Sequence, residues 1–147
     1  MTTEAIDQRI TRFIRKHHLL TLATCSGGKP WVASCFYVWM PEESAFIITT
    51  DPETLHGRQA SENPHVAGSV AWETNLIGRI QGIQFTATIE QCSGSLKALA
   101  EQAYLKRFPV ARLMDMHLWI LRPDLLKMTH NLLGFGTKLI WEKGSSS

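Results

Sequence analysis

Apolar residues are spaced in two ways along this chain, every three to four positions at its start and every second position through much of the rest. The first spacing places Ile6, Ile10, Phe13 and Ile14 on one face and predicts an amphipathic helix within residues 1–18. The second spacing is plainest over residues 80–91 and predicts a strand with one buried face. The side chains expected on that face are Ile83, Phe85, Ala87 and Ile89.

Short apolar or alternating runs, separated by turns rich in glycine, proline and polar residues, predict six or seven strands. They cover residues 19–25, 31–40, 45–50, 65–72, 80–91, 117–121 and 125–129, and a last ordered segment covers residues 131–141. The hairpin-like spacing favours antiparallel pairing. Because so many short strands in an open sheet would leave exposed edges, the pattern favours closure into a barrel.

Two more helices interrupt the strands, a short polar one within residues 51–63 and a longer one over residues 96–108. The expected N-caps are Thr2 or Thr3 for the first helix, Asp51 followed by Pro52 for the second, and Ser93 or Ser95 for the third. The apolar stripe of the third helix comprises Leu96, Leu99, Ala100, Ala103 and Tyr104. Pro109 ends this helix. The chain is therefore predicted to be one mainly β domain over residues 1–147, a β-barrel with flanking helices and a frayed end at residues 142–147.

Composition and charge narrow the classes of partner. Of 147 residues, 44% are hydrophobic and 19% charged, which excludes a disordered or fibrous chain. A net charge of +2 is too small to indicate binding to nucleic acid or to an anionic membrane. The first ten residues lack the apolar segment of a signal peptide, and no apolar run is long enough to span a bilayer, so the expected compartment is the cytoplasm.

The residues that most often bind metals form no recognisable motif here. Cys25, Cys35 and Cys92 are widely spaced without a Cys-x-x-Cys pair, and are expected to be free thiols that pack as small apolar side chains. No two of the six histidines are three or four residues apart, so one helix does not present a pair of metal ligands. Gly134 and Gly136 form a lone Gly-x-Gly, which favours a tight turn or a close backbone approach over a dinucleotide site.

The segment of residues 47–63 carries the most informative chemistry. A predicted strand ends in Thr49 and Thr50, and a short helix with His56 and Arg58 follows. Hydroxyl groups, backbone N–H groups at a helix start and nearby positive side chains are what a phosphate monoester requires. On these residues alone, an ordinary solvated helix remains the alternative.

The order of several short motifs, spread over nearly the whole chain, is that of a known family. They are Leu22-Ala23-Thr24, Gly28-Lys29-Pro30, Thr49-Thr50, Asn63-Pro64-His65-Val66 and the alternating strand over residues 83–89. The chain resembles the pyridoxamine 5'-phosphate oxidase-like, FMN-binding split barrels. Residues 106–112 and 133–141 are similar to the uncharacterised YhbP-type branch of that superfamily.

This resemblance implies a homodimer with two flavin mononucleotide (FMN) sites at the subunit interface. Thr50 and Thr54 then match the hydroxyls that meet the flavin phosphate, His56 lies beside them, and Arg58 or Lys138 restores positive charge. Thr49 and the backbone of Ala33, Ser34 and Cys35 lie along the flavin ring, and Gln81 reaches it from the partner subunit.

The chain departs from the oxidases at residues that matter for their chemistry. Thr54-Leu55-His56 stands where they have Ser-Arg-Lys, so two fixed charges are replaced by one titratable imidazole. No basic cluster is evident for the second phosphate of pyridoxamine phosphate, since Lys106-Arg107 with Arg112 fits a solvated helix end.

The function predicted is an FMN-dependent oxidoreductase of unknown substrate, with no catalytic residue and no metal ligand named. Oxidation of pyridoxamine phosphate itself is not expected. The alternative is a non-enzymatic split-barrel module for flavin, haem or another small ligand, in which His56 or His130 would ligate a haem iron.

Overall fold

The structure is a computed structural model that describes residues 5–131, 134 and 136–144. Within these residues the chain forms three α-helices and seven β-strands. The helices are α1 (Gln8–Lys16), α2 (Leu55–Glu62) and α3 (Gly94–Arg107), with 3-10 turns at Ile77–Arg79 and Pro109–Leu113. The strands are β1 (Leu19–Ser26), β2 (Lys29–Met40), β3 (Ala45–Thr49), β4 (His65–Ala71), β5 (Gln81–Gln91), β6 (Leu118–His130) and β7 (Lys138–Glu142).

The strands form one antiparallel sheet that closes on itself. Its order is β3-β2-β1-β4-β5-β6-β7, and β3 also pairs with β6 to complete a six-stranded ring. The first half of β6 pairs with β3 and the second half with β7 along the same edge. The predicted mainly β barrel is confirmed, and its strands are antiparallel as expected.

The prediction of two separate strands at residues 117–121 and 125–129 is wrong, because β6 runs through both. Pro123 has no N–H to donate, and it lies where β6 exchanges its partner from β3 to β7. Opposite it, the register with β5 shifts between Thr86 and Ala87, and Asp124 is left without a paired residue. This β-bulge lets one strand continue past a proline.

Helix α1 packs across the core of the barrel through the apolar face that its spacing predicts. Ile10, Phe13 and Ile14 are buried in the main core. The helix starts later than expected, since Asp7 is its N-cap and accepts a hydrogen bond from the Arg9 backbone N–H at 2.8 Å. Thr2 and Thr3, the predicted caps, lie outside the described residues and well before this start.

Tyr37 fastens the other end of α1 to the barrel. Its hydroxyl is fully buried and donates to the Ile14 carbonyl oxygen at 2.6 Å. Carbonyl groups in the last turn of a helix have no intrahelical partner, so this bond satisfies one of them.

Helix α3 covers a second, smaller core beside the barrel that includes Ala100, Tyr104, Met40, Ile47 and Ile120. Its predicted stripe is wrong at Leu99, which is 51% exposed. Leu99 precedes Ala100 by one residue, and 100° of rotation about the helix axis turns it away from the core. The helix begins at Gly94, and Ser93 occupies the N-cap position without a side-chain capping bond.

The buried face predicted for β5 is confirmed, with Ile83, Phe85, Ala87 and Ile89 each at most 3% exposed. The C-terminal boundary differs from expectation, since Glu142 ends β7 rather than starting a frayed tail. Gly134 and Gly136 have φ values of 137° and 77° in the connection between β6 and β7, which fits the predicted tight turn. Leu133, Phe135 and residues 145–147 lie outside the described part of the chain. No described helix has the length and apolarity that a membrane crossing requires.

Candidate functional site

The end of β3 is fixed by hydrogen bonds to the start of β6. The Thr49 hydroxyl accepts from the His117 backbone N–H at 3.1 Å, and the Thr50 N–H donates to the His117 carbonyl at 3.0 Å. The Thr50 carbonyl accepts from the indole Nε1–H of Trp119 at 2.9 Å. Both the N–H and the carbonyl of Thr50 are therefore hydrogen-bonded, and its side chain is directed towards α2.

Helix α2 begins one turn later than predicted, with Thr54 as its N-cap. The Thr54 hydroxyl accepts from the Gly57 N–H at 3.1 Å and donates to the Asp51 carbonyl at 2.7 Å. The predicted cap, Asp51, instead accepts from the Glu53 N–H at 2.8 Å in the turn before the helix. Both residues are good caps, and the close packing of α2 on the preceding turn decides which of them meets the helix start.

Gly57 brings α2 against the preceding turn more closely than any other residue would allow. A Cβ atom there would lie 2.5 Å from the Asp51 carbonyl oxygen and 2.9 Å from Cα of Pro52. A glycine inside a helix is a sequence signal for such a close approach. Its part in building this corner was not predicted.

His56 joins the two threonines into one cluster. Its Nε2 is hydrogen-bonded to the Thr50 hydroxyl and lies 3.3 Å from the Thr54 hydroxyl oxygen. Burial lowers the pKa of the imidazole below its usual value, so the ring is neutral at pH 7. The backbone N–H groups of Leu55 and His56 precede the first intrahelical hydrogen bond, which runs from Arg58 to Thr54.

The cluster of Thr50, Thr54 and His56 thus offers donors and a helix N-terminus, without a fixed charge of its own. Arg58 supplies the nearest such charge along the helix. Its side chain is exposed and makes no hydrogen bond or ion pair to the residues described. A flexible cation beside a neutral set of donors suits an anionic ligand that brings its own negative charge.

The three predicted residues of β2 lie beyond the end of its pairing with β3, which stops at Tyr37 and Ile48. Cys35 points into the core, where burial raises the pKa of its thiol to about 11, so it is not a thiolate. Ala33 is half-buried and Ser34 is exposed, which is the alternation expected of a strand with one solvent-exposed face.

The two remaining predicted residues lie at the other end of the barrel. Gln81 pairs with His130 and Lys138 with Thr129, whereas Thr49 pairs with Leu118. The length of β6 between these positions is on the order of 40 Å when extended. One protomer therefore does not bring Gln81 or Lys138 to the cluster.

The outer face of the sheet carries an exposed apolar area. A shallow hollow of about 470 Å³ lies across β1, β2, β4, β5 and β6, with Ala23, Val32 and Ala67 among polar residues in its lining. Val32 is 59% exposed. Exposed apolar side chains in a hollow are a candidate contact for another molecule.

Comparisons with known proteins agree with this geometry. The family model described as pyridoxamine 5'-phosphate oxidase matches residues 6–128. UPF0306 proteins of Yersinia pseudotuberculosis and Yersinia pestis are 42% identical to this chain over 134 residues, which cover 91% of each sequence.

Solved structures with a similar fold bind different cofactors. A haem-binding protein from Mycobacterium smegmatis has a TM-score of 0.77 at 19% identity, and the match covers 96% of this chain and 60% of that one. HutZ, the haem storage protein of Vibrio cholerae, has a TM-score of 0.68 at 18% identity over 96% of each chain. An FAD-binding protein from Mesorhizobium loti has a TM-score of 0.69 at 12% identity, covering 87% of this chain and 97% of its own. At identities this low, the structural similarity shows a shared fold alone.

Proposed function

The chain belongs to the pyridoxamine 5'-phosphate oxidase family and to the UPF0306 group of proteins, and on that premise we propose that it is a homodimeric, FMN-binding oxidoreductase. The observation that carries the proposal is the cluster of Thr50, Thr54 and His56 at the start of α2. Bound flavin would supply the electron transfer, and the protein would supply its anchor and orientation.

The cluster suits the phosphate of FMN in the kind of groups it presents. The N–H groups of Leu55 and His56 have no partner among the described residues. The hydroxyls of Thr50 and Thr54 and Nε2 of His56 are bonded to one another or to Asp51, and would exchange those bonds for bonds to the phosphate. The partial positive charge at the start of a helix favours a phosphate there. A dianion beside His56 favours the protonated ring, so binding would restore a positive charge that burial withholds from the free protein.

A second copy of the chain completes the proposed site. Gln81 and Lys138 are too far along β6 to serve the cluster of their own protomer. Joining two copies through the exposed apolar face around Val32 would cover that hollow and bring residues from the partner to each flavin.

The proposal does not extend to pyridoxamine phosphate as the substrate. The phosphate of that substrate requires its own cluster of basic side chains. Arg107, the middle basic residue of the segment 106–112, already has partners within the protein. Its Nη2 donates to the His17 carbonyl at 2.5 Å, and its guanidinium lies 5.7 Å from the centre of the Tyr37 ring. Arg107 thus fastens α3 to the barrel.

A second candidate is a non-enzymatic module that binds haem. It is supported by the haem proteins of similar fold and by His130, which lines a cleft between α1 and the strand ends. His56 would have to exchange its Nε2 bond to Thr50 for a bond to iron, as it would for phosphate. The cleft beside His130 has a volume of about 160 Å³, below the range of pockets that enclose larger cofactors, so this candidate ranks second.

The absorption spectrum of the purified protein, before and after addition of each cofactor, distinguishes the two candidates. Two broad flavin bands in the near-ultraviolet and blue support the proposal, and one intense violet band supports haem. A protein that remains colourless and does not quench FMN fluorescence contradicts the flavin proposal.

The phosphate anchor is tested with the double variant His56→Ala and Arg58→Ala. We expect its Kd for FMN to rise about tenfold or more, since hydrogen bonds to a charged group contribute about 1.5–3 kcal/mol each. Riboflavin lacks the phosphate, so its affinity should be the same for both proteins. The matched control replaces His65 and Arg79, which are exposed and outside the cluster, by alanine. Equal FMN affinity of the two double variants would show that the phosphate binds elsewhere.

A further inference from the structure

A second, smaller cleft lies between α1 and the neighbouring ends of β5 and β6. Its volume is about 160 Å³, with Phe13 and Met128 as its apolar wall. It lies at the opposite end of the barrel from Thr50. His130 at its rim is the last residue of β6, whereas Leu118, the first residue of β6, pairs with Thr49. The cleft is therefore separate from the FMN anchor of the same protomer.

Positive side chains of α1 line this cleft. Arg12 and Lys16 lie one helical turn apart, and neither forms an ion pair with the described residues. Arg9 lies on the same side and forms an ion pair with Asp7 at 2.8 Å. No described residue that lines the cleft is acidic. Like charges one turn apart weaken a helix, and a bound anion removes that repulsion.

His130 adds an imidazole to this lining. Its Nδ1 is enclosed by protein atoms and has no hydrogen-bond partner among the described residues, so Nε2 is the ring nitrogen left for a ligand in the cleft. Gln81, whose side chain lines the same cleft, adds an amide group able to donate.

We propose that the cleft between α1 and β6 binds a small oxyanion, a phosphate group, through Arg12, Lys16 and His130. The volume fits a group of that size with a few waters and is below the range for a drug-sized ligand. The cleft is apart from the FMN anchor of its own protomer, and it shares Gln81 with the residues proposed to reach the flavin of a second copy.

The test uses inorganic phosphate as the probe, titrated calorimetrically into the full chain in a chloride buffer. We expect saturable binding with one site per chain, and a rise in Tm with phosphate concentration. Arg12→Gln and Lys16→Gln should each weaken binding about tenfold. The matched control is Arg15→Gln, which removes the same charge from the same helix outside this cleft and should change affinity less than twofold.

Equal losses in Arg12→Gln and Arg15→Gln would overturn the proposal, since they would show a general attraction to the basic helix. Absence of saturable binding to the parent protein would overturn it as well. His130→Gln supplies the second variant and should weaken phosphate without changing the circular dichroism spectrum. Glycerol phosphate, with glycerol as its control, distinguishes a phosphate monoester from free phosphate as the preferred ligand. FMN titration of Arg12→Gln should match the parent protein, which separates this site from the flavin anchor.

Discussion

Replacing Gly57 by alanine tests how the corner that holds the candidate site is built. The helix packs on the Asp51–Pro52 turn through the bare Cα of this glycine, whose added Cβ would lie 2.5 Å from a carbonyl oxygen. That is about 0.9 Å short of ordinary contact at 3.4 Å. The opposing atoms belong to the backbone, so the substitution must move α2 or the turn as a unit.

Two effects of opposite sign set the magnitude. Alanine is better than glycine inside a helix by about 1 kcal/mol. Overpacking costs roughly 1–3 kcal/mol, and contact with rigid backbone belongs at the upper end of that range. The displacement also strains the capping bond from the Gly57 N–H to Thr54, worth about 1 kcal/mol. We expect a net loss of about 2–3 kcal/mol in the free energy of unfolding, or roughly 4–12 °C in Tm for a chain of this size.

Urea unfolding followed by circular dichroism measures this loss, with Gly78→Ala as the matched control. Gly78 lies in the 3-10 turn Ile77–Arg79 and has no heavy atom within 4 Å of an added Cβ. The control should change stability by less than about 0.5 kcal/mol. FMN affinity should fall only in Gly57→Ala, because only there do the N–H groups at the start of α2 move. A Gly57→Ala protein as stable as the parent would refute the close approach on which this reasoning depends.

Three further substitutions test the packing and the pH dependence of the fold. Tyr37→Phe leaves the Ile14 carbonyl without its buried donor and should cost about 1–2 kcal/mol by urea unfolding; an unchanged midpoint would contradict the bond. Thr24→Val removes the hydroxyl that donates to Oε1 of the buried Gln59 at 2.7 Å, and should cost about 1–3 kcal/mol in the same assay. Burial lowers the pKa of His17 in the folded chain. Below pH 6.5 the unfolded chain therefore binds a proton more readily than the folded chain, and the free energy of unfolding falls. Thermal unfolding between pH 5 and 7 should show a smaller fall in His17→Gln, and identical slopes would count against this assignment.

Local sequence predicted part of the candidate site, and tertiary packing decided the rest. Thr50, Thr54 and His56 lie within seven residues of one another, so a strand end followed by a helix start brings them together by local geometry alone. The exact cap was missed because Asp51 and Thr54 have similar capping propensity, and only packing through Gly57 selects between them. The basic cleft was missed because charged residues on the outer face of a helix have the same pattern with or without a ligand.

The sequence by itself determined which side of α1 and of β5 is buried, as at Ile10 and Phe85, because apolar spacing acts within a few residues. It also determined that many short strands must close into a barrel. Only the tertiary structure decided that β6 continues through Pro123, that it exchanges β3 for β7 there, and that Gln81 lies beside α1 rather than Thr50. These contacts join residues far apart in the chain, and strand register and closure set them, which no local pattern of residues specifies.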